Sequence, residues 1–549
     1  MSTPTPALVT QRAAQRLPRV PLLLLCAAYV LPGVFGRDPW RNADLSAFSI
    51  MLGMAEGRLS WLAPTPVGGM ADAALLPHWL GALAIQALGG WLGPALAARL
   101  PFALLLAATL ALVWYATYYL ARTEAAQPVA FAFGGEAEPR DYARALADGA
   151  LLALIACLGL LQLGHETTPE LAQLSEVALL LFALAVATTR PLLGRLLAPL
   201  ALVALASSGA PAIATLMGLV ALVTSARSRF EGVRALLPWL AMGAAASAAL
   251  ALLLHTWHWR IVRPDSLADL WALVRLPGWF LWPAWPLALW TLWRWRGHLQ
   301  SRHIAVPLGC ALVALLAMAA MDGNDRVLLL ALPGVAVLAA FALPTLDRGA
   351  SAAIDWFSVF FFTGAAIVGW VVYASMHWGV PAKPLANIQR LAPGFVPQFS
   401  WLALLAAVLG TLAWLWLVRW RTARHRDPLW KSLVLPASGV ALAWLLSMTL
   451  WLPALDYARS LRPLVQQITE IVPAGQCLLA PGLPRTQVAA LEVFGRYRVD
   501  ARTDGPCDAM VLQGRRPGVA PAIDGWRLVA TLRRPTDRQE QTWVLRRER

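Results

Sequence analysis

The chain has 549 residues, of which 59% are hydrophobic and only 14% charged, against about 25% charged in an ordinary soluble domain. Apolar runs of about 15 to 23 residues, close to what crosses a bilayer, recur along most of its length. These features exclude a single soluble globule, and basic loops meeting anionic lipid account for part of the net charge of +15 without any nucleic acid.

In chain order, the candidate spans are about 20–35, 99–120, 149–164, 174–189, 192–207, 210–225, 234–254, 271–293, 304–320, 327–343, 354–378, 400–418 and 432–452. The first has a basic lead (Arg12, Arg16, Arg19) and no small-residue cleavage site, so it is read as a retained helix. With the N-terminus in the cytoplasm, basic residues concentrate on that side, including Arg190, Arg227, Arg229, Arg294, Arg296, Arg348, Arg419 and Arg421. Leu75–Trp91 is also apolar, but counting it as a span reverses every later loop and spoils this bias. It is therefore read as a helix along the outer interface, within a long external loop over 37–98.

From about Asp456 the charge density rises. IVPAGQCLLA, YRVDAR, AMVLQG, GWRLVATLRR and QTWVLRR read as short strands between Gly and Pro turns. The expected fold class is thus a mostly α polytopic membrane protein of about 13 transmembrane helices, with a small α/β soluble domain over 456–549 following a membrane domain over 1–455. That domain is expected on the non-cytoplasmic face, where Cys477 and Cys507 can form a disulfide. The other three cysteines lie in helices as packing residues. The Trp-rich stretch Trp279–Trp290 reads as an interfacial belt.

Five polar clusters fall on the external side of this topology. They are GRDPWRNADLSAF with Asp38 and Asp44, GGMADAALLPHW with Asp72 and His78, GHETTPELAQLSE with His165, Glu166 and Glu170, HTWHWRIVRPD with His255, His258, Arg260, Arg263 and Asp265, and DGNDR with Asp322, Asp325 and Arg326. Acids, imidazoles and guanidiniums on one face could hold a divalent ion and a phosphate. Each cluster alone can also be polar simply because membrane-surface loops are wet.

This order of features resembles the large-loop (GT-C type) membrane glycosyltransferases that use polyprenyl-phosphate sugars, in particular the lipid A aminoarabinose transferases and the protein O-mannosyltransferase-like family. Asp44 in WRNADLSAF matches that family's first-loop acid, and Trp79-Leu80 followed by ARLPFAL matches the end of its interfacial helix. WLPALDYARS at Trp451–Ser460 resembles its exit into the soluble domain. The resemblance implies inverting transfer of a sugar from an undecaprenyl-phosphate donor to a lipid or glycan acceptor, at the periplasmic face of the bacterial inner membrane. It implies Asp44, Glu166 and Glu170 as catalytic acids, Arg263, Arg260 and Arg326 on the lipid phosphate, and Asp72 with His258 on a divalent ion. There are departures. Ala73-Ala74-Leu75 stands where relatives carry a Lys-Pro-Pro motif, Ser46-Ala47-Phe48 replaces an Arg-Tyr pair, and Ser208-Gly209-Ala210-Pro211 replaces a Lys-Gly-Pro turn. These losses argue for a different donor or acceptor from the aminoarabinose reaction. The competing readings are a lipid-linked sugar transporter, disfavoured by spans almost free of charge, and a non-catalytic member of the transferase fold.

Overall fold

The computed structural model describes residues 5–254, 256–257, 266–321, 323–422, 428–515, 518–537 and 539–548. The chain forms two compact units. One comprises Met1–Pro32, Phe102–Ile367 and Leu405–Leu446, and the other Gly33–Pro101, Val368–Leu404 and Ser447–Arg549. The protein is a multi-pass membrane protein. Each expected span is helical over most of its length. Seven helices among the described residues are long and apolar enough to cross a membrane, and an eighth arises if Lys431–Ser447 and Leu452–Arg459, bent by 72°, count as one. Arg19–Val30, Pro191–Ser207 and Pro211–Ala226 are apolar but shorter.

The differences from the expected spans have local causes. The 271–293 span is two helices, Leu267–Phe280 and Ala284–Arg294. Pro283 lacks the N–H that a continuous helix would use and its ring crowds the preceding turn. Ser266 starts the first of these with a reciprocal capping box to Asp269. The 149–164 span breaks where Cys157 turns to ψ 121°, leaving Pro139–Ala156 and Leu158–Leu163. The Asp325–Thr345 span is 94% buried and Trp401–Arg421 only 11%. Lipid must therefore cover most of the latter, in keeping with its apolar surface.

In the second unit, Leu75–Leu92 is a helix, as the sequence predicts, and falls outside the seven spanning helices. It packs on a helix the sequence reading misses, Ala43–Ala55. Gly81 permits this approach, because a Cβ there would lie 2.2 Å from Met51 Sδ. The tail carries all five expected strands, β1 (Cys477–Leu479), β2 (Arg498–Asp500), β3 (Ala509–Arg515), β4 (Trp526–Leu532) and β5 (Glu540–Arg547). They form one mixed sheet in the order β2-β1-β3-β5-β4, parallel around β1 and antiparallel around β5. Helices Arg462–Ile471 and Arg485–Phe494 cover one face through Val465, Ile468, Ala489 and Leu491, and Leu45 of Ala43–Ala55 joins that same core. The other face buries Leu479, Met510, Trp543 and Leu545. Cys477 and Cys507 are bonded there, with their Cα atoms 5.1 Å apart. The hydrophobic core of the tail thus begins in the loop that follows the first helix.

Candidate active site

Asp44 sits in the first turn of Ala43–Ala55, where the helix N-terminus favours a carboxylate. The preceding Asn42 adopts φ +77° and ψ −134°, a sparsely populated conformation outside the αL well that turns the chain into the helix. Asp44 is buried. Its Oδ2 accepts from Arg37 Nη1 at 2.8 Å and from the Trp40 backbone N–H at 3.0 Å, and the two charged side chains are 2% and 1% exposed. Arg37 also donates from Nε to the Gly33 carbonyl and stacks 4.6 Å over the Trp40 ring. Arg99 Nη1 donates to the Arg37 carbonyl at 2.8 Å, and Arg459 lies 4.8 Å from the same Trp40 ring. The Trp40 indole N–H donates to Asp456, as does the Asp38 backbone N–H. Asp38 in turn accepts from Ser460 Oγ and Arg462 Nε, each at 2.8 Å. Hydrogen bonding to Asp38 pushes the Arg462 guanidinium above its ordinary pKa. Asp44 is therefore not a solvated loop residue but the centre of a closed polar network that ties the first loop to the segment leaving the last span.

In the other unit a second centre forms where Leu158–Leu163 ends and Pro169–Val186 begins. Pro169 occupies the first turn of that helix, where its missing N–H costs nothing. Arg326 Nη2 donates to Glu166 Oε2 at 2.7 Å, and its Nη1 lies 3.8 Å from Glu170 Oε2. Gln162 Nε2 donates to the remaining Glu166 oxygen at 2.9 Å. Glu170 Oε2 makes no hydrogen bond among the described residues. Three residues that the sequence assigns to two roles are thus one cluster, a guanidinium between two carboxylates with a net negative charge. A lipid phosphate on Arg326 would have to displace Glu166 and would face Glu170. Beside the cluster, His165 is fixed between the carbonyls of Leu161 and Tyr29 and packs on Trp444.

Asp72 accepts from Arg485 Nη2 at 2.8 Å and from the Ala74 backbone N–H at 3.0 Å, with His78 Nε2 3.4 Å away. Burial alone would raise its pKa. The His78 and Arg485 contacts and the Ala74 N–H outweigh that and hold it below the usual carboxylate range. Arg485 occupies the position in which a cation would meet this acid. No group of three or more His, Cys, Asp or Glu suited to a metal exists among the described residues. His258, Arg260 and Arg263 lie outside the described residues, as do His255, Asp265 and Asp322.

Several further polar groups lie inside the helical unit, within runs that read as apolar in the sequence. Glu176 accepts from Ser208 Oγ at 2.6 Å, and Gln173 donates to the Ser208 carbonyl at 2.7 Å. Asp355 pairs with Arg421. Gln173 and Glu176, one turn apart inside an apolar run, are the signal that could have exposed the first of these. These groups show that the spans are less free of charge than expected, and Glu176 meets only a neutral hydroxyl, its Oε2 having no hydrogen-bond partner among the described residues.

No protein-family model matches the chain, and no curated protein matches its sequence. Among solved structures it is similar to ArnT from Cupriavidus metallidurans bound to undecaprenyl phosphate, with a TM-score of 0.60 at 14% identity over 96% of this chain and 97% of that one. It is also similar to the apo state of the same protein, with a TM-score of 0.58 at 16% identity over the same shares. At this identity the likeness establishes the fold alone, which this chain shares with ArnT over nearly its whole length.

Proposed function

We propose that the chain is a membrane glycosyltransferase that moves a sugar from an undecaprenyl-phosphate carrier to a lipid or other envelope acceptor, at the periplasmic face of the inner membrane. One observation carries this reading: the fold matches, almost end to end, a protein whose structure holds undecaprenyl phosphate. In the proposed step the bond between the anomeric carbon and the phosphate oxygen breaks, and the electron pair leaves with the polyprenyl phosphate. The acceptor oxygen bonds to the anomeric carbon from the opposite face, giving inversion, and its proton passes to a carboxylate.

Asp44, Glu166 and Glu170 are the proposed acids. Glu170 is the one with a carboxylate oxygen uncommitted among the described residues. Arg263 and Arg260 are the proposed partners of the leaving phosphate, because charge growing on it needs a fixed cation. Arg326 can join them only by releasing Glu166. Asp72 and His258 would hold a divalent ion if one binds, and Arg485 already neutralises Asp72.

The saturation of Asp44 favours a second reading, a non-catalytic member of the fold in which the Arg37–Asp44 pair is purely structural. Purified protein incubated with a radiolabelled polyprenyl-phosphate sugar and an envelope lipid extract separates the two. Label moving to the extract, with free polyprenyl phosphate released in equal amount, supports transfer. Retention of all label on the carrier supports the second reading.

A further inference from the structure

A separate groove lies wholly within the first unit and shares no residue with the Glu166 cluster. It is a cavity of about 550 Å³ between helices Arg19–Val30, Pro94–Ala121 and Pro139–Ala156. Its walls are apolar over most of their length. Ala107 and Ala111, four residues apart on one helix face, are exposed, and their short side chains leave the floor of the groove empty. The 12 residues of Arg19–Val30 rise about 18 Å, close to the depth of one leaflet of a hydrocarbon core ~30 Å thick.

The charge is confined to one end. Arg16, Arg19 and Arg144 line it. Arg16 and Arg19 are exposed and make no ion pair among the described residues. Arg144 lies 3.6 Å from Asp141. Asp148 is the only carboxylate in the lining. Its two oxygens already accept from the Leu17 backbone N–H and the Trp114 indole N–H, each at 2.8 Å. Three guanidiniums therefore face two carboxylates, one of which is fully engaged, and the surplus is positive.

We propose that this groove seats an anionic glycerophospholipid of the cytoplasmic leaflet, with an acyl chain along the Ala107–Ala111 floor and the phosphate on Arg16, Arg19 and Arg144. The charge bias of the loops puts this end of the helices in the cytoplasm. A guanidinium fork suits phosphate oxygens, and basic niches between helices on that side attract anionic headgroups. A zwitterionic lipid would bring a second cation against the arginines. A polyprenyl chain is several times longer than a groove one leaflet deep.

The test uses the full protein in phosphatidylcholine nanodiscs doped with phosphatidylglycerol, with lipids retained after detergent extraction read by native mass spectrometry. The parent should retain phosphatidylglycerol over phosphatidylcholine by about tenfold or more. Arg16→Gln with Arg19→Gln should abolish the preference. Ala107→Phe with Ala111→Phe fills the floor without touching the charge and should abolish it too. The milder Ala111→Leu should reduce it, which keeps the test decisive if the double variant does not fold. Equal retention of the two lipids by the parent would overturn the proposal. So would an undiminished preference in the filled grooves, which would mean adsorption to a basic surface. Displacement of phosphatidylglycerol by an equal amount of undecaprenyl phosphate would also overturn it.

Discussion

The Asp44 and Glu166 centres are built from the same groups in opposite proportions. Around Asp44, one carboxylate meets one guanidinium and a backbone N–H, with the pair almost wholly buried. Around Arg326, one guanidinium is shared by two carboxylates, and its own side chain is 18% exposed. The first is electroneutral and closed, an arrangement that low dielectric strengthens and that resists change. The second carries surplus negative charge and an uncommitted oxygen, the kind of imbalance expected of a proton acceptor. An acid in a matching sequence position can thus be enclosed as an anchor is, while a less conspicuous acid keeps an oxygen without a hydrogen bond among the described residues.

Breaking the Asp44 pair should have the largest effect. Asp44→Asn keeps the shape but leaves the Arg37 guanidinium buried and uncompensated, which costs about 3–5 kcal/mol. Transfer should also fall by about a hundredfold or more if the carboxylate acts in the reaction. Joining Asp44→Asn to Arg37→Met separates the two roles. Thermal unfolding should recover in the double variant. Turnover should stay lost if Asp44 acts on substrate and should recover with stability if the pair is an anchor. Asp44→Asn alone unfolding like the parent would contradict the closed network.

The disulfide asks whether that network depends on the soluble domain, since Leu45 shares a core with Val465, Leu491 and Val544. The Cys477–Cys507 bond closes a sequence separation of 30 residues, for which chain entropy predicts about 3 to 4 kcal/mol. Alkylation before and after reduction should differ by two thiols. Reduction should lower the unfolding temperature and increase proteolysis around Trp40 and Asp44. Unchanged labelling, or a first loop untouched by reduction, would uncouple the two.

In the other centre, Glu170→Gln removes the surplus carboxylate charge and should slow transfer by about tenfold to a hundredfold, with little change in unfolding temperature because Glu166 still holds Arg326. Glu166→Gln should cost more stability, as it removes the charge that the Arg326 guanidinium meets at 2.7 Å. Equal turnover in Glu170→Gln and the parent would remove that residue from the reaction.

Local physics made much of this legible in the sequence. Alternation and Gly/Pro turns placed all five strands, and apolar run length placed the spans. The Ala43–Ala55 helix was missed because turn-forming Asp38, Pro39 and Asn42 lead into it, and its burial is set by partners such as Glu492, 443 residues from Ser49. The pairing of Arg326 with Glu166, across 160 residues, is equally invisible to periodicity. Asp44 was found from a motif, but its burial was not, since the Arg37 fork and Trp40 N–H that enclose it look like ordinary wet-loop polarity when read along the chain.

The smallest expected effects distinguish two further carboxyls of the second unit. Glu492 accepts from Ser49 Oγ at 3.1 Å, on the same helix as Asp44. Burial raises its pKa, and the Ser49 hydrogen bond offsets this only in part. As pH rises from the ordinary glutamate value, the unfolded chain ionises first, so stability falls until the raised folded value is passed and the penalty is then constant. Asp72 has the opposite sign, because its folded pKa lies below the ordinary value. Its stabilisation is complete above the ordinary aspartate range and is lost as pH falls below it. Glu492→Gln should therefore unfold slightly later than the parent at neutral pH and together with it near pH 4, since an amide oxygen still accepts from Ser49. Asp72→Asn should unfold earlier at neutral pH, where Arg485 loses its partner, with the gap narrowing in acid. Unfolding temperatures of the three proteins at both pH values decide it. A Glu492→Gln variant that is less stable at neutral pH would mean that the ionised carboxylate holds the first-loop helix to the soluble domain. The second unit would then rest on a charge there, as it does at Asp44, rather than tolerate one.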